Sequence, residues 1–340
     1  MKFSKQIKSL DRHIAPYRKK YSIINKLYNH ISEINVINSF HSKDKDQLVK
    51  EANISLEGLL APTKVVSDST DVPKIIWMFW DSGYENAPEV IKLSVKSWQE
   101  MNPDYEVKLL CDDNLEEHLG FDFYAMYQLS TIRLFPATKA DLLRLHLLSK
   151  HGGVWADTTT FCLTPLSEWL TSSMEYCGLF TFKNKYHPTR PIEAWFIASP
   201  KGNVIINNVL QRFVEYLFKE RDVSLFISGK VKLVAKVTEN KDESLDYSAI
   251  LRAEKLGFMP YFSIGYFFYE VLRQNLSDEQ LELFLRTDKA TVMTNNHAVT
   301  HNDFDVFKAS VVSKQTYTKN YIESESYQKR RDFLLNKLNA

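Results

Sequence analysis

Between Pro73 and Gly120 the sequence alternates twice between a short apolar run and a longer amphipathic one, and that order most constrains the fold. "KIIWMFW" (74–80) is a continuous apolar run between Pro73 and the turn-rich "DSGYENAP", as expected of a strand covered on both faces. "PEVIKLSVKSWQEM" (88–101) opens with proline at the favoured first helical position. It stops before "NPD", where Pro103 disfavours helical backbone in the residue ahead of it. "YEVKLL" (105–110) predicts a second strand and "DDNLEEHL" a further helix, with Asp112 and Asp113 read as caps. Strand, helix, strand, helix in succession predicts a parallel sheet with right-handed crossovers. Ligands of such sheets sit at the carboxyl ends of the strands. Trp77 to Trp80 and the loop 81–87 are therefore expected at the mouth of a site, with core packing as the other reading of Trp77 and Trp80.

The stretch 138–163 is the second constraint. "TKADLLRLHLLSKHGG" reads as a helix: Thr138 and Asp141 stand at capping-box spacing, Leu142, Leu145 and Leu148 form an apolar stripe, and Gly152 supplies a left-handed stop. Gly152 and Gly153 are the only adjacent glycines in the chain, and the strand "VWADTTTFCL" follows at once. That strand carries one carboxylate, Asp157, into an otherwise apolar and β-branched run. A lone buried aspartate is costly, whereas one that coordinates a cation is not. Asp141 and Arg144 are open to a plainer reading as a cap and its i, i+3 ion-pair partner.

Composition narrows the class. Forty-three basic residues against 42 acidic ones leave a net charge of +1, so no global field favours nucleic acid. Three cysteines without C-x-x-C spacing fit neither a disulfide framework nor a zinc site, and a reducing cytoplasm is the simplest compartment. No apolar stretch approaches the roughly 20 residues of a membrane span, and the N-terminus is too charged for a secretory signal. Residues 1–30 hold eight Lys/Arg against one acid, with Phe3, Ile7, Leu10 and Ile14 at helical spacing. This fits either a helix lying on an anionic membrane surface or one packed on the body with a solvated basic face. The polar stretch 40–72 reads as a linker or cover segment. The expected division is an N-terminal helical segment and linker at 1–70, a catalytic domain at 71–320 and a C-terminal helix at 321–340.

"KADLLRLHLLSKHGGVWADTT", with "IIWMFWDSGYENAPEVIKLSVKSW" upstream, resembles the bacterial capsular polysaccharide synthesis glycosyltransferases, which carry a DXD sugar-binding motif. "MPYFSIGYFFYEVL" (259–272) and "SKQTYTK" (313–319) extend the resemblance more weakly. It implies an α/β fold of the GT-A type, a Rossmann-like sheet binding a nucleotide sugar, with the N-terminal helical segment and C-terminal helices added. By position, it implies that Ile76 and Trp77 hold the base, with Trp80 also on the donor side, and that Asp141 and Arg144 reach the ribose and donor sugar. Trp155 is the aromatic beside the donor and Asp157 the first acid of the motif, so Asp157 and Arg144 are the implied catalytic pair. Thr159 stands where the second acid belongs. The implied cofactor is Mn²⁺ or Mg²⁺, with Asp157, Thr159 and His301 as candidate ligands. His297, His301, Lys314 and Lys319 are basic or imidazole groups that either close over the diphosphate or belong to ordinary surface loops. "PYFSIGYFFYEVL" is either aromatic core or an acceptor-stacking face.

The implied reaction moves a hexose from a nucleotide diphosphate sugar, UDP-linked by expectation, to a glycan or lipid-linked oligosaccharide at the inner face of the cell membrane. Two other readings stay open: a sugar-phosphate transferase of capsule assembly, and a catalytically silent nucleotide- or glycan-binding subunit, which Thr159 allows.

Overall fold

The computed structural model describes residues 14, 17–32, 34–37, 39, 42–65, 69–174, 177–183, 192–229, 233, 234, 237, 247–285, 295–297 and 304–339. The first apolar runs form β1 (Ile75–Phe79) and β2 (Glu106–Leu110), joined by the helix Glu89–Met101. Further strands are β3 (Gly153–Ala156), β4 (Thr160–Cys162), β5 (Phe180–Lys183), β6 (Ile192–Ser199), β7 (Phe226–Ser228), β8 (Phe258–Pro260), β9 (Asn295–His297) and β10 (Val312–Lys314). The main sheet has the order β2-β1-β3-β6-β5. Its first three strands are parallel, as expected, but β6 runs antiparallel to both β3 and β5. The sheet is therefore mixed. The connection from β5 to β6 is too short for a helical crossover, and only an antiparallel neighbour can be reached that way.

The run "VWADTTTFCL" is not one strand. β3 stops at Ala156, Asp157 to Thr159 turn, and β4 joins a separate sheet of order β4-β10-β9. The hydroxyls that look strand-compatible in sequence make the turn instead: Thr160 Oγ1 donates to Asp157 O at 2.7 Å and Thr158 Oγ1 to Phe79 O at 3.0 Å. Helix Glu89–Met101 clamps the turn from beneath, with Ser94 Oγ and Trp98 Nε1 donating to Thr160 O. Its Val90, Ile91, Val95 and Trp98 are wholly or almost wholly buried, so the clamp is anchored in core.

Helix Pro136–His151 leads into β3 and is buried along most of its length. Pro136 occupies its first turn and Phe135 caps it without a side-chain bond, so Thr138 and Asp141 lie inside the helix and form no capping box. The proline starts the helix three residues earlier than the Thr138 reading allows. Both glycines after it have positive φ, +70° at Gly152 and +99° at Gly153. A Cβ at Gly153 would lie 2.6 Å from Ile75 O, against the neighbouring strand. Gly153→Ala is therefore expected to destabilise the protein by at least roughly 1–3 kcal/mol from backbone conformation alone, read as a drop in thermal midpoint. An unchanged midpoint would show that the backbone relaxes there.

The remaining helices cover the sheet and its flanks. Val204–Phe218 and Ser263–Asn275 pack together in the main core. The aromatic run divides there: Tyr266, Phe267 and Phe268 are buried, whereas Tyr261 and Phe262, just ahead of the helix, are exposed. The polar stretch 40–72 contains the helix Lys45–Leu59, which buries Ala52, Ser55 and Leu59. Near the N-terminus, helix Ser22–Ser32 is tied to the body. The Arg18 guanidinium stacks 3.6 Å from the Tyr28 ring centroid and donates to Ser224 Oγ, and Asn25 Nδ2 donates to Asp222 O. Ile23 and Leu27 remain exposed on it, as does Tyr21 just ahead of it. At the other end, helix Glu325–Leu338 packs on Glu89–Met101, burying Tyr327 and Leu334. Among the described residues no helix is long and apolar enough to cross a membrane.

Candidate active site

The carboxyl end of β3 delivers Asp157, whose backbone N–H donates to Trp195 O at 2.9 Å. Asp157 Oδ1 accepts from Arg144 Nη2 at 3.0 Å and from Trp155 Nε1 at 2.8 Å. Oδ2 accepts from Lys314 Nζ at 2.6 Å, and the same ammonium lies 2.7 Å from Thr159 Oγ1. The second fork of Arg144, Nη1, donates to Asp141 Oδ1 at 2.7 Å, while its guanidinium carbon stands 5.1 Å from the Trp155 ring centroid. Arg144 is 4% exposed in its side chain and Asp157 is 26% exposed, so the cation is interior and the carboxylate faces outward. Five residues expected from sequence, Asp141, Arg144, Trp155, Asp157 and Lys314, thus form one charged cluster with Thr159 at its rim.

Lys314 arrives from 157 residues away in sequence because β10 pairs antiparallel with β4, setting Lys314 opposite Thr160. Gln315 N donates to Thr159 O at 2.7 Å and extends the pairing past the strand. The Gln315 side chain donates to Ser313 Oγ and accepts from the buried Tyr321 hydroxyl, which fixes the segment further.

Burial would raise the Asp157 carboxyl, but Lys314 and Arg144 outweigh it and hold it below the usual carboxylate range. Asp141 goes the other way. Burial pushes it up to about 7, with the Asp157 charge adding to the rise and Arg144 opposing it. Its folded pKa thus exceeds its unfolded one, so the folded state binds the extra proton and stability falls as pH rises from about 4 to about 7. Buried His146, lowered to about 4, has the opposite slope in much of that window, so the parent curve alone is not diagnostic. The difference is: Asp141→Asn should gain stability relative to the parent between about pH 4 and 7, in urea or thermal titrations. A flat difference would remove the perturbed carboxyl from the account.

The other expected residues are placed differently. Ile76 is fully buried in mid-strand, and Trp77, 4% exposed, spends its Nε1 on Gly152 O at 2.9 Å, bracing the glycine turn. Neither reaches the carboxyl ends of the strands. Trp80 does: it follows β1, stands edge-on to Tyr317 at 5.3 Å, and its buried Nε1 has no hydrogen-bond partner among the described residues. Lys319 is largely exposed, with Glu323 as its nearest acid at 3.8 Å. His301 and the side chain of His297 lie outside what is described.

A second charged group went unread in the sequence. Asp112, expected as a cap, accepts instead from Lys139 Nζ at 2.7 Å and from the Tyr124 hydroxyl, and Lys139 lies over Tyr124 at 4.7 Å. Asp113 makes no cap bond either, since the short helix Leu115–Leu119 begins at Asn114 without one. This group sits at the carboxyl ends of β1 and β2, beside Asp81, whose carbonyl accepts from Asp112 N. Lys139 precedes Asp141 by two residues on the helix Pro136–His151, and its side chain is 9% exposed. Tyr317, which meets Trp80, is more than 40% exposed, as are the adjacent Tyr261 and Phe262. Burial of its hydroxyl, and then the charges of Asp141 and Asp157, raise the Tyr261 phenol.

The model of the capsular polysaccharide synthesis protein family matches residues 25–229, more than half of the chain and the whole segment from β1 through the Asp157 turn. The chain belongs to that family. Among its relatives, HOC1 of Saccharomyces cerevisiae, a glycosyltransferase by name, is 24% identical over 202 residues, 55% of this chain and 50% of that protein. The initiation-specific alpha-1,6-mannosyltransferase of the same yeast is 29% identical over 124 residues, 34% of this chain and 26% of that one. The solved PaToxG glycosyltransferase aligns over 85% of this chain and 95% of its own at 17% identity, with a TM-score of 0.30. The chain spans about half the length of HOC1 and about a quarter of the mannosyltransferase. These two relatives are fungal, so the bacterial setting rests on the motif resemblance alone.

Asp157 and Thr159, the two described members of the implied donor set, do not suit a divalent cation, and the third, His301, lies outside the described residues. Asp157 is already engaged on both oxygens by Arg144, Trp155 and Lys314, and Thr159 is neutral and bound to the same lysine. Among the described residues no three His, Cys, Asp or Glu side chains gather as a metal site.

Proposed function

We propose that this protein is a GT-A-type glycosyltransferase that transfers a hexose from a nucleoside diphosphate sugar, UDP-linked, to a hydroxyl of a surface polysaccharide. The observation that carries this is the Asp141–Arg144–Asp157–Lys314 cluster at the carboxyl end of a parallel strand, in a family whose relatives are named as transferases. Carboxylates accept from sugar hydroxyls, and basic groups beside them meet phosphate.

In the reaction the C1–O bond to the β-phosphate breaks with its electron pair staying on the phosphate oxygen. The acceptor oxygen forms the new bond to C1 and releases its proton to water. Positive charge grows on the sugar ring and negative charge on the leaving diphosphate. Asp157, held ionised, faces the first, and Lys314 the second. Trp80 with Tyr317, and Tyr261 with Phe262, offer flat apolar faces suited to the faces of sugar rings of a glycan acceptor. A lipid-linked acceptor and a place at the inner membrane surface accord with Lys20 and Lys26 beside the exposed Tyr21, Ile23 and Leu27 near the N-terminus. Three free cysteines accord with a cytoplasmic setting.

Incubating purified protein with a panel of UDP-, GDP- and other nucleotide sugars tests the reading, because transferases slowly pass their sugar to water. Release of a nucleoside diphosphate with free hexose from one donor class is the expected result. Release of the monophosphate with a sugar phosphate would favour sugar-phosphate transfer, and binding without turnover of any donor, even with acceptor glycans, would favour a silent binding subunit.

A further inference from the structure

We infer that the Lys314 ammonium occupies the place of the divalent cation, so that this site binds a nucleoside diphosphate and neutralises its negative charge without metal. The inference rests on the nucleotide-sugar reading and adds to it what neutralises the leaving group. Lys314 Nζ is 2.6 Å from Asp157 Oδ2 and 2.7 Å from Thr159 Oγ1, the two oxygens a bridging cation would take. Mg²⁺ needs its oxygens at about 2.0–2.1 Å and in an octahedron, so it cannot share that point with the ammonium. Nor does the local charge invite it. Asp157 already stands against two cations, Arg144 and Lys314, and a divalent ion would add two further positive charges to one carboxylate.

The lysine is a built part of the site. It ends β10, opposite Thr160 of β4, and the next residue closes on Thr159 O, so its backbone is tied to the very turn that carries Asp157. Its side chain is 19% exposed. An ammonium has three donors, of which Asp157 and Thr159 take two, and the third is left for a phosphate oxygen. Thr159 becomes intelligible on the same terms. A hydroxyl orients an ammonium without adding charge, whereas a second carboxylate there would pair fully with the lysine and weaken its hold on phosphate.

Calorimetric titration of the purified chain with UDP, GDP, ADP and dTDP, in EDTA and again in Mn²⁺, tests this without any substitution. The nucleoside diphosphate that binds should do so with affinities within about twofold in the two buffers. Tightening by Mn²⁺ of at least about tenfold would overturn the inference and leave the transferase reading standing. Binding of none of the four in either buffer would remove both. Lys314→Met supplies the second readout: in EDTA it should weaken the diphosphate at least about tenfold while the parent nucleoside, which lacks phosphate, binds as before. Equal loss for nucleoside and diphosphate would mean that Lys314 only holds the fold, and equal retention would mean that it does not meet the phosphates; either result overturns the inference. Thr159→Asp combined with Lys314→Ala rebuilds two carboxylates, and manganese paramagnetic resonance should then show a bound ion that the parent lacks. A parent that binds Mn²⁺ as well as this variant does would also contradict it.

Discussion

Asp157→Asn is expected to lower glycosyl transfer, or donor hydrolysis in its place, by at least about a hundredfold. The carboxylate serves three donors at once, and an amide has one acceptor oxygen for them. With its oxygen toward Arg144 and Trp155, its NH₂ group meets Lys314 donor to donor; turned over, it meets Arg144 and Trp155 in the same way. The loss is therefore electrostatic and positional together, and some stability goes with it, roughly 1–3 kcal/mol for the unmatched buried donors. Trp155→Phe separates the two, since it removes one hydrogen bond and no charge: its turnover should fall by less than about tenfold. Asp157→Asn activity within a few-fold of the parent would end the assignment of Asp157 to the reacting centre.

Arg144→Met is expected to be the most destabilising single change in the cluster, by roughly 3–5 kcal/mol near neutral pH. Arg144 is the shared partner of Asp141 and Asp157, and without it two acids face each other with Lys314 as their remaining cation. Both carboxyls then rise, and protonating them relieves the repulsion, so the destabilisation should be smaller at about pH 5 than at about pH 8. Equal destabilisation at the two pH values would assign the loss to packing against Trp155 rather than to charge. Donor turnover should fall in the same variant, because the helix side of the site has no other cation on Asp157.

The parallel half of the sheet was legible because β1, the helix Glu89–Met101 and β2 each carry their own period and stop signal. The glycine pair was legible as a break, and its positive φ values at the approach of Lys201 and Ile75 explain why no side chain stands there. The cluster residues on one continuous segment, Asp141 to Asp157, were legible through spacing and resemblance. The reversal of β6 was not, because apolar runs of that length suit either direction. The break at Asp157 was hidden by three threonines that favour strands by shape, whereas here the Thr160 hydroxyl closes the turn, the Thr158 hydroxyl ties it to β1 and the Thr159 hydroxyl accepts from Lys314. Lys314 appeared as one of several late basic residues. Only the pairing of β10 with β4, a non-local fact, distinguishes it from Lys319. The bond from Lys139 to Asp112 likewise joins residues that no local pattern connects.

Hydrogen exchange with and without the hydrolysed donor tests the central claim, that the nucleotide sugar sits on this cluster. The account predicts added protection confined to the turn after β3, residues 155–160, to β10 and its extension, residues 312–315, and to the carboxyl end of β1 around Trp80. Protection that leaves 155–160 and 312–315 unchanged and appears elsewhere, for example along β7 and β8, would contradict it.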